Sequence, residues 1–147
     1  MGLLAGLAGR RNALRFAAAP PGQQDATGGL LIEEQRPGFS RCSLKVAENH
    51  FNSFGVVHGG VLFTMADTGM GSALFPHLKE GERFATIEVK INYFKPVRAG
   101  TIVCVTEVIH LGKSIANLES SLSVEGVLVA KANGSYAIAG PRTANAP

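Results

Sequence analysis

The chain has 147 residues, 46% apolar and 17% charged, enough to fill the core of one domain and too apolar for a disordered polymer. Its net charge of +3 sits in Arg10, Arg11 and Arg15, and the remainder balances 11 basic against 11 acidic side chains. A balanced remainder with ten aromatics and no Trp argues against a nucleic-acid face and against base stacking.

The first 25 residues read as an N-terminal extension, rich in Leu, Ala and Arg and free of acids up to Asp25. This composition resembles a mitochondrial transit peptide; the plainer and preferred reading is a short amphipathic helix or extension of a cytoplasmic, bacterial protein. It does not fit a secretory signal, because the arginines follow the first apolar run. Pro20, Pro21 and Gly22 end any helix there. Residues 26–147 form the expected folded domain. Cys42 and Cys104 have no short spacing, so reduced thiols in an intracellular protein are expected. No run of about 18 apolar residues free of charge offers a membrane span.

In chain order, residues 30–34 and 42–46 are short strand candidates divided by the Pro37-Gly38 turn signal. Residues 58–75 form the one helix candidate beyond the extension. In residues 84–94, Ile87, Val89, Ile91 and Tyr93 alternate with Thr86, Glu88, Lys90 and Asn92, a period of two with one buried face. Residues 101–111 follow Pro96 and the Ala99-Gly100 turn. Residues 114–124 place Ala116, Leu118, Leu122 and Val124 on one face. Residues 127–138 alternate again after the Glu125-Gly126 hairpin signal. Two strands, a central helix and an antiparallel meander of four strands make an α+β fold with a sheet of five or six strands.

The helix segment HGGVLFTMADTGMGSALFPHL, residues 58–78, carries Asp67 as its one Asp, Glu, Lys or Arg. A helix facing solvent carries charges on one side; this one is apolar or small nearly all round and is expected to be enclosed. Glycines in a helix cost about 1 kcal/mol each relative to Ala, so Gly69 and Gly71 imply close approach of sheet, partner or ligand. An ionised carboxylate in such a setting is paired, neutralised or used; the plain reading is a partly exposed Asp bonding a backbone amide. Asn52, Gly55, His58, Gly59 and Gly60 form the loop feeding the helix. The first amides of the helix lack acceptors and carry the positive end of its dipole, so a carbonyl oxygen placed there is polarised. A plain helix cap explains the same glycines. His58 and Asp67 are nine residues apart, about two and a half turns, so they point to opposite sides. If both serve one site, two chains have to contribute.

The string NSFGVVHGGVLFTMAD, residues 52–67, resembles the hotdog-fold acyl-CoA thioesterases, and among them the phenylacetate-degradation type. That type shows an Asn, a Gly, then His-Gly-Gly, with an acidic residue nine positions after the His. Residues 92–100, NYFKPVRAG, look like the family's strand end and turn, and Leu111-Gly112-Lys113 and Val124-Glu125-Gly126 look like its later turns. The resemblance spans about residues 29–140. It implies a long helix wrapped by a curved antiparallel sheet, and a homodimer with sites at its interface, often paired again into a tetramer. It implies Asp67 as general base or nucleophile, leaving open which. It implies that the Gly59 amide, beside Gly60, holds the thioester oxygen. Asn52 and His58 of the other subunit would orient the carbonyl or the water, with His58 equally suited to bracing the loop, and Thr86 would place the water.

Coenzyme A belongs to the substrate, and no separate cofactor or metal is expected. Its phosphates call for cations, for which Lys113 leads, followed by Lys90, Lys95 and Arg98; each of these also reads as an ordinary solvated charge. His50, His77 and His110 lack ligand spacing, and Ser114 lacks a nucleophile-elbow pattern. Two alternatives stand beside the thioesterase: a hydratase or dehydratase of the same fold, faintly echoed by His50-Phe51, and a non-catalytic acyl-CoA binder. Asp67 fits the thioesterases better than the Glu of the dehydratases, and an intact Asn, Gly and Asp set speaks against the binder.

Overall fold

The computed structural model describes residues 29–141; the extension, and both readings of it, lie outside them. The elements run β1 (Leu31–Arg36), β2 (Phe39–Lys45), α1 (Gly59–Leu74), β3 (Arg83–Tyr93), β4 (Thr101–Leu111), β5 (Ile115–Val124) and β6 (Val127–Ala139). Short 3-10 turns at Glu48–His50 and Phe75–His77 flank the helix region. The turn signals act as expected. Gly38 takes φ 80° between β1 and β2, and Glu125 and Gly126 take φ 50° and 78°. Positive φ at both centres matches the right-handed twist of a two-residue hairpin.

The six strands form one antiparallel sheet in the order β1-β2-β4-β5-β6-β3. The expected meander of four strands is therefore corrected to three, β4-β5-β6. Strand β3 lies at the far edge, paired with β6, from Arg83↔Ala139 to Tyr93↔Ala130. The reason is the segment 94–100. It is too long and too Pro-bearing for a tight hairpin. It crosses the end of the sheet, where the Val97 carbonyl accepts from the Val57 amide (2.8 Å) and the Gly100 carbonyl from the Val46 amide (2.9 Å).

Helix α1 packs on the concave face through Leu62, Met65, Ala66, Gly69, Met70 and Ala73, a three-and-four repeat that forms one stripe. Against it stand Cys42, Leu44, Ile102, Cys104, Ala116, Leu118, Leu122, Ala130, Ala132 and Tyr136. The glycines of α1 answer the sheet. A Cβ on Gly69 would lie 2.7 Å from Thr106 Oγ1, and one on Gly71 3.2 Å from the Phe84 ring. The opposite face of α1 is open in the single chain: Phe63 and Thr64 are exposed.

The period-two reading of β3 holds only in part. The ladder shifts between Thr86 and Glu88, so Ile87 is an unpaired bulge residue, 56% exposed. Phe84 and Thr86 face the helix before the bulge, and Val89 and Ile91 pack inward after it. A bulge inserts one residue and swaps which parity faces the core. It turns Thr86 from the expected polar face to the helix side.

Candidate active site

Two clusters of polar groups flank α1. At its N-terminus, a bridge between Phe51 and Val57 closes a loop. Inside it the Asn52 side-chain oxygen accepts from the Phe54 amide (2.9 Å) and the Val56 amide (3.4 Å). Gly55 turns the chain at φ 72°. Arg98 Nη1 donates to the Gly55 carbonyl (3.3 Å), so this cation braces the loop. His58 is the N-cap: its Nδ1 accepts from the Gly60 amide at 2.8 Å. The cap needs Gly60, whose Cβ would stand 3.0 Å from His58 Nδ1.

The Gly59 amide sits at the first helical position, where no intrahelical acceptor exists. The Tyr93 hydroxyl donates to the Gly59 carbonyl at 2.8 Å. A Cβ on residue 59 would lie 3.0 Å from that phenol. A pocket of about 370 Å³ opens here, with Asn52, Gly59, Leu62, Tyr93 and Lys95 among its walls. Partial burial raises the Tyr93 phenol above its ordinary value.

Asp67 lies on the other side of the helix, about 14 Å further along its axis at 1.5 Å per residue. Its carboxylate is half-buried and held by two hydroxyls. Tyr136 donates to Oδ1 at 2.6 Å, and Thr86 donates to the same oxygen at 2.9 Å. Oδ2 accepts no hydrogen bond among the described residues. The Tyr136 hydroxyl also lies 3.2 Å from the Asp67 carbonyl. Burial, then the hydrogen bond to Asp67 and its negative charge, push the Tyr136 phenol far above its ordinary value. The phenol therefore stays protonated and acts as a fixed donor.

Sequence reasoning named Asp67, Thr86, Asn52, His58, Gly59 and Gly60 as candidates and did not name Tyr136 or Tyr93, whose hydroxyls bond Asp67 and the Gly59 carbonyl. A tyrosine on the inward face of an alternating strand requires a partner for its hydroxyl, which is the signal that Tyr136 carried. The structure divides the candidate set within one chain. Asn52, His58, Gly59, Lys95 and Arg98 gather at the N-terminal end of α1. Asp67, Thr86 and Tyr136 gather near the opposite end of β3. Lys113 lies in the β4–β5 turn, at that second end, since Ile115 pairs with Ala137 and Ala85 pairs with the same residue. Lys90 is exposed on β3 and faces away from the helix, between the inward Val89 and Ile91. The four cations do not form one cluster in a single chain. Among the described residues, no three His, Cys, Asp or Glu side chains group as metal ligands, and no helix is long and apolar enough to cross a membrane.

One long helix wrapped by a six-stranded antiparallel sheet is the hotdog fold. Residues 54–130 match the family model described as the thioesterase superfamily. The chain belongs to that superfamily and is a thioester hydrolase by class. It is 28% identical over 107 residues to acyl-coenzyme A thioesterase 13 of Homo sapiens, covering 71% of this chain and 76% of that one. A conserved protein of Pseudomonas aeruginosa superposes with a TM-score of 0.71 at 32% identity, covering 76% of this chain and 89% of the other. A hypothetical thioesterase of Streptococcus pneumoniae TIGR4, solved with coenzyme A, superposes with a TM-score of 0.70 at 26% identity, covering 78% and 89%.

Proposed function

We propose that the protein hydrolyses acyl-CoA thioesters to the free acid and coenzyme A, with Asp67 as the reacting carboxylate. The observation that carries this reading is the carboxylate itself: a lone acid in an apolar helix, pinned through Oδ1 and open at Oδ2. Asp67 either takes a proton from water as that water attacks the thioester carbon, or attacks the carbon itself and is released by water. In both routes the C–S bond breaks, the thiolate takes up a proton, and a carboxylic acid forms. The Gly59 amide, at the positive end of the helix dipole, polarises the carbonyl oxygen. His58 serves as the cap that holds this amide in place, and the Asn52 amide nitrogen, left over when its oxygen holds the loop, orients the carbonyl or the water.

The complete site needs a second chain. Residues about 14 Å apart on opposite sides of one helix do not meet around a single carbonyl. Strand β3 is a long sheet edge with Ile87 and Tyr93 more than half exposed, a surface suited to pairing with another copy. Two β3 edges related by a two-fold axis run antiparallel. The Thr86 end of one chain then lies against the Tyr93 end of its partner, and Asp67 approaches the partner's helix N-terminus. Lys113 likewise approaches the end that carries Lys95, so cations from two chains could face the phosphates of one coenzyme A. Pairing of such dimers into a tetramer fits the exposed apolar residues elsewhere, such as Phe63.

Asp67→Asn tests the reading. Asn keeps the shape and removes the base, so turnover of an acyl-CoA panel should fall at least about 100-fold while binding by calorimetry persists. Near-normal turnover by the folded variant would remove Asp67 from the mechanism.

A further inference from the structure

We propose that Tyr136 is a positioning residue: its hydroxyl, with that of Thr86, saturates Asp67 Oδ1 and leaves Oδ2 as the oxygen presented to the reaction. The inference rests on the reading of Asp67 as the reacting group.

The χ2 torsion of an aspartate is a soft, roughly two-fold rotor, so an unrestrained carboxylate presents either oxygen over a wide arc. Here two donors converge on one oxygen from adjacent strands. Thr86 and Tyr136 are direct partners in the β3–β6 ladder, and the bulge at Ile87 lets Thr86 face inward beside Tyr136. Their hydroxyls reach Oδ1 at 2.9 and 2.6 Å. Hydrogen bonds to an ionised acceptor are short and strong, so the pair fixes the plane of the carboxylate.

The phenol is held for this task. Tyr136 is 1% exposed, with the Phe84 ring tilted against it at a centroid distance of 6.0 Å. Gly134, on the same face of β6, leaves the space: a Cβ there would lie 3.1 Å from the Tyr136 ring and 2.7 Å from Met70 Sδ. A tyrosine needed only for packing would be satisfied by the Asp67 backbone carbonyl at 3.2 Å. The shorter contact is with the carboxylate. Neither hydroxyl exchanges a covalent bond in the reaction; Tyr136 acts only through Asp67.

The test is Tyr136→Phe, which keeps the ring against Phe84, compared with wild type, Asp67→Asn and the double variant. Substrates are short-, medium- and long-chain and aromatic acyl-CoA esters, and the fastest wild-type substrate is used throughout. Mass and melting temperature verify the folded assembly. Loss of a hydrogen bond to a charged group predicts a fall in kcat of roughly 10- to 100-fold with KM nearly unchanged. In the Asp67→Asn background the same substitution should leave the residual rate unchanged, because the reacting carboxylate it positions is gone. Thr86→Val removes the second donor from an exposed edge strand. Its loss should combine with that of Tyr136→Phe less than multiplicatively, and this variant also serves where Tyr136→Phe assembles poorly. Wild-type kcat in folded Tyr136→Phe, or an equal loss in the Asp67→Asn background, would overturn the inference. Activity retained by Asp67→Asn alone would instead refute the role of Asp67, a distinguishable failure.

Discussion

A mixed-dimer experiment tests the shared site with a magnitude set by geometry. The Asn52 loop lies at the N-terminal end of α1 and Asp67 in its middle, on the opposite side from His58, so each proposed site takes one from each chain. The two lesions must be chosen with the structure in view. Asn52→Ala would release the Phe54 and Val56 amides that its side chain holds. Asn52→Asp keeps an acceptor oxygen there, removes the amide donor and adds a negative charge, both of which act against a developing oxyanion. Paired with Asp67→Asn, it gives two inactive parents that should fold and pair normally. In a mixed dimer one site receives both lesions and the other receives neither. Random pairing of equal amounts makes about half the dimers mixed, and half of their sites are intact, so roughly a quarter of wild-type activity per chain returns. Mixed dimers isolated with two affinity tags should show about half. Thiol release from an acyl-CoA ester reads both. If the sites were confined to single chains, every site would keep a lesion. Isolated mixed dimers as inactive as their parents would refute the shared-site geometry.

Three further outcomes are expected. Gly69→Ala puts a Cβ 2.7 Å from Thr106 Oγ1; overpacking of about 1–3 kcal/mol, offset by about 1 kcal/mol of helix propensity, should lower the urea midpoint with little change in slope. Burial holds both tyrosine phenols above their ordinary value. Above about pH 10 the unfolded chain releases these protons while the folded chain keeps them, so stability should fall as pH rises, and less steeply in Tyr136→Phe; an equal slope would refute this source of the loss. Deleting residues 1–24, which lie outside the resemblance to the family, should leave activity and the number of chains per assembly, read by light scattering, unchanged; a monomeric or inactive product would make the extension part of the assembly.

The helix was legible because its signals are local: His58 and two glycines before it, a run of apolar and small residues within it, and one acid. Local signals also exposed the hairpin at Glu125-Gly126, whose residues both take positive φ. The place of β3 was not legible. Nothing in residues 94–100 states how far the chain travels before β4 begins; the neighbour of β3 is decided by β6, some 40 residues later. The bulge at Ile87 was hidden for a related reason. An alternating run looks the same whether or not its partner strand skips a residue, and only the pairing with Tyr136 and Ser135 shows the skip. Thr86 was located by resemblance, while its alternation placed it on the wrong face. Tyr136 escaped because its contact with Asp67 spans 69 residues of sequence.

The sheet does more than cover the helix; it fixes the rotation that aims Asp67. Apolar contacts alone are non-directional, and small residues on α1 would tolerate sliding or turning on a smooth surface. The interface instead carries donors from β2, β5 and β6 to the carbonyls of the middle of α1. Cys42 Sγ reaches the Met65 carbonyl at 3.8 Å, Ser120 that of Ala66 at 3.5 Å, Tyr136 that of Asp67 at 3.2 Å and Ser40 that of Gly69 at 2.7 Å. Gln35 adds the Ser72 carbonyl at 2.9 Å. A helical carbonyl has a second lone pair, so these bonds add to the helix ladder without replacing it. Ser40 is buried with the Gly69 carbonyl as its acceptor, and turning α1 by one residue would strand that hydroxyl at about 1–3 kcal/mol; Ser120 and Tyr136 keep Thr106 and the Asp67 carboxylate as second partners, and Gln35 is exposed. The turn bearing Asp67 lies between the first and last of these contacts, so the carboxylate keeps its heading even with its outer face open. The absence of a side chain at Gly69 has its reason here: the backbone must come close enough for the Ser40 hydroxyl to reach it, whereas Gly71 makes room for the Phe84 ring.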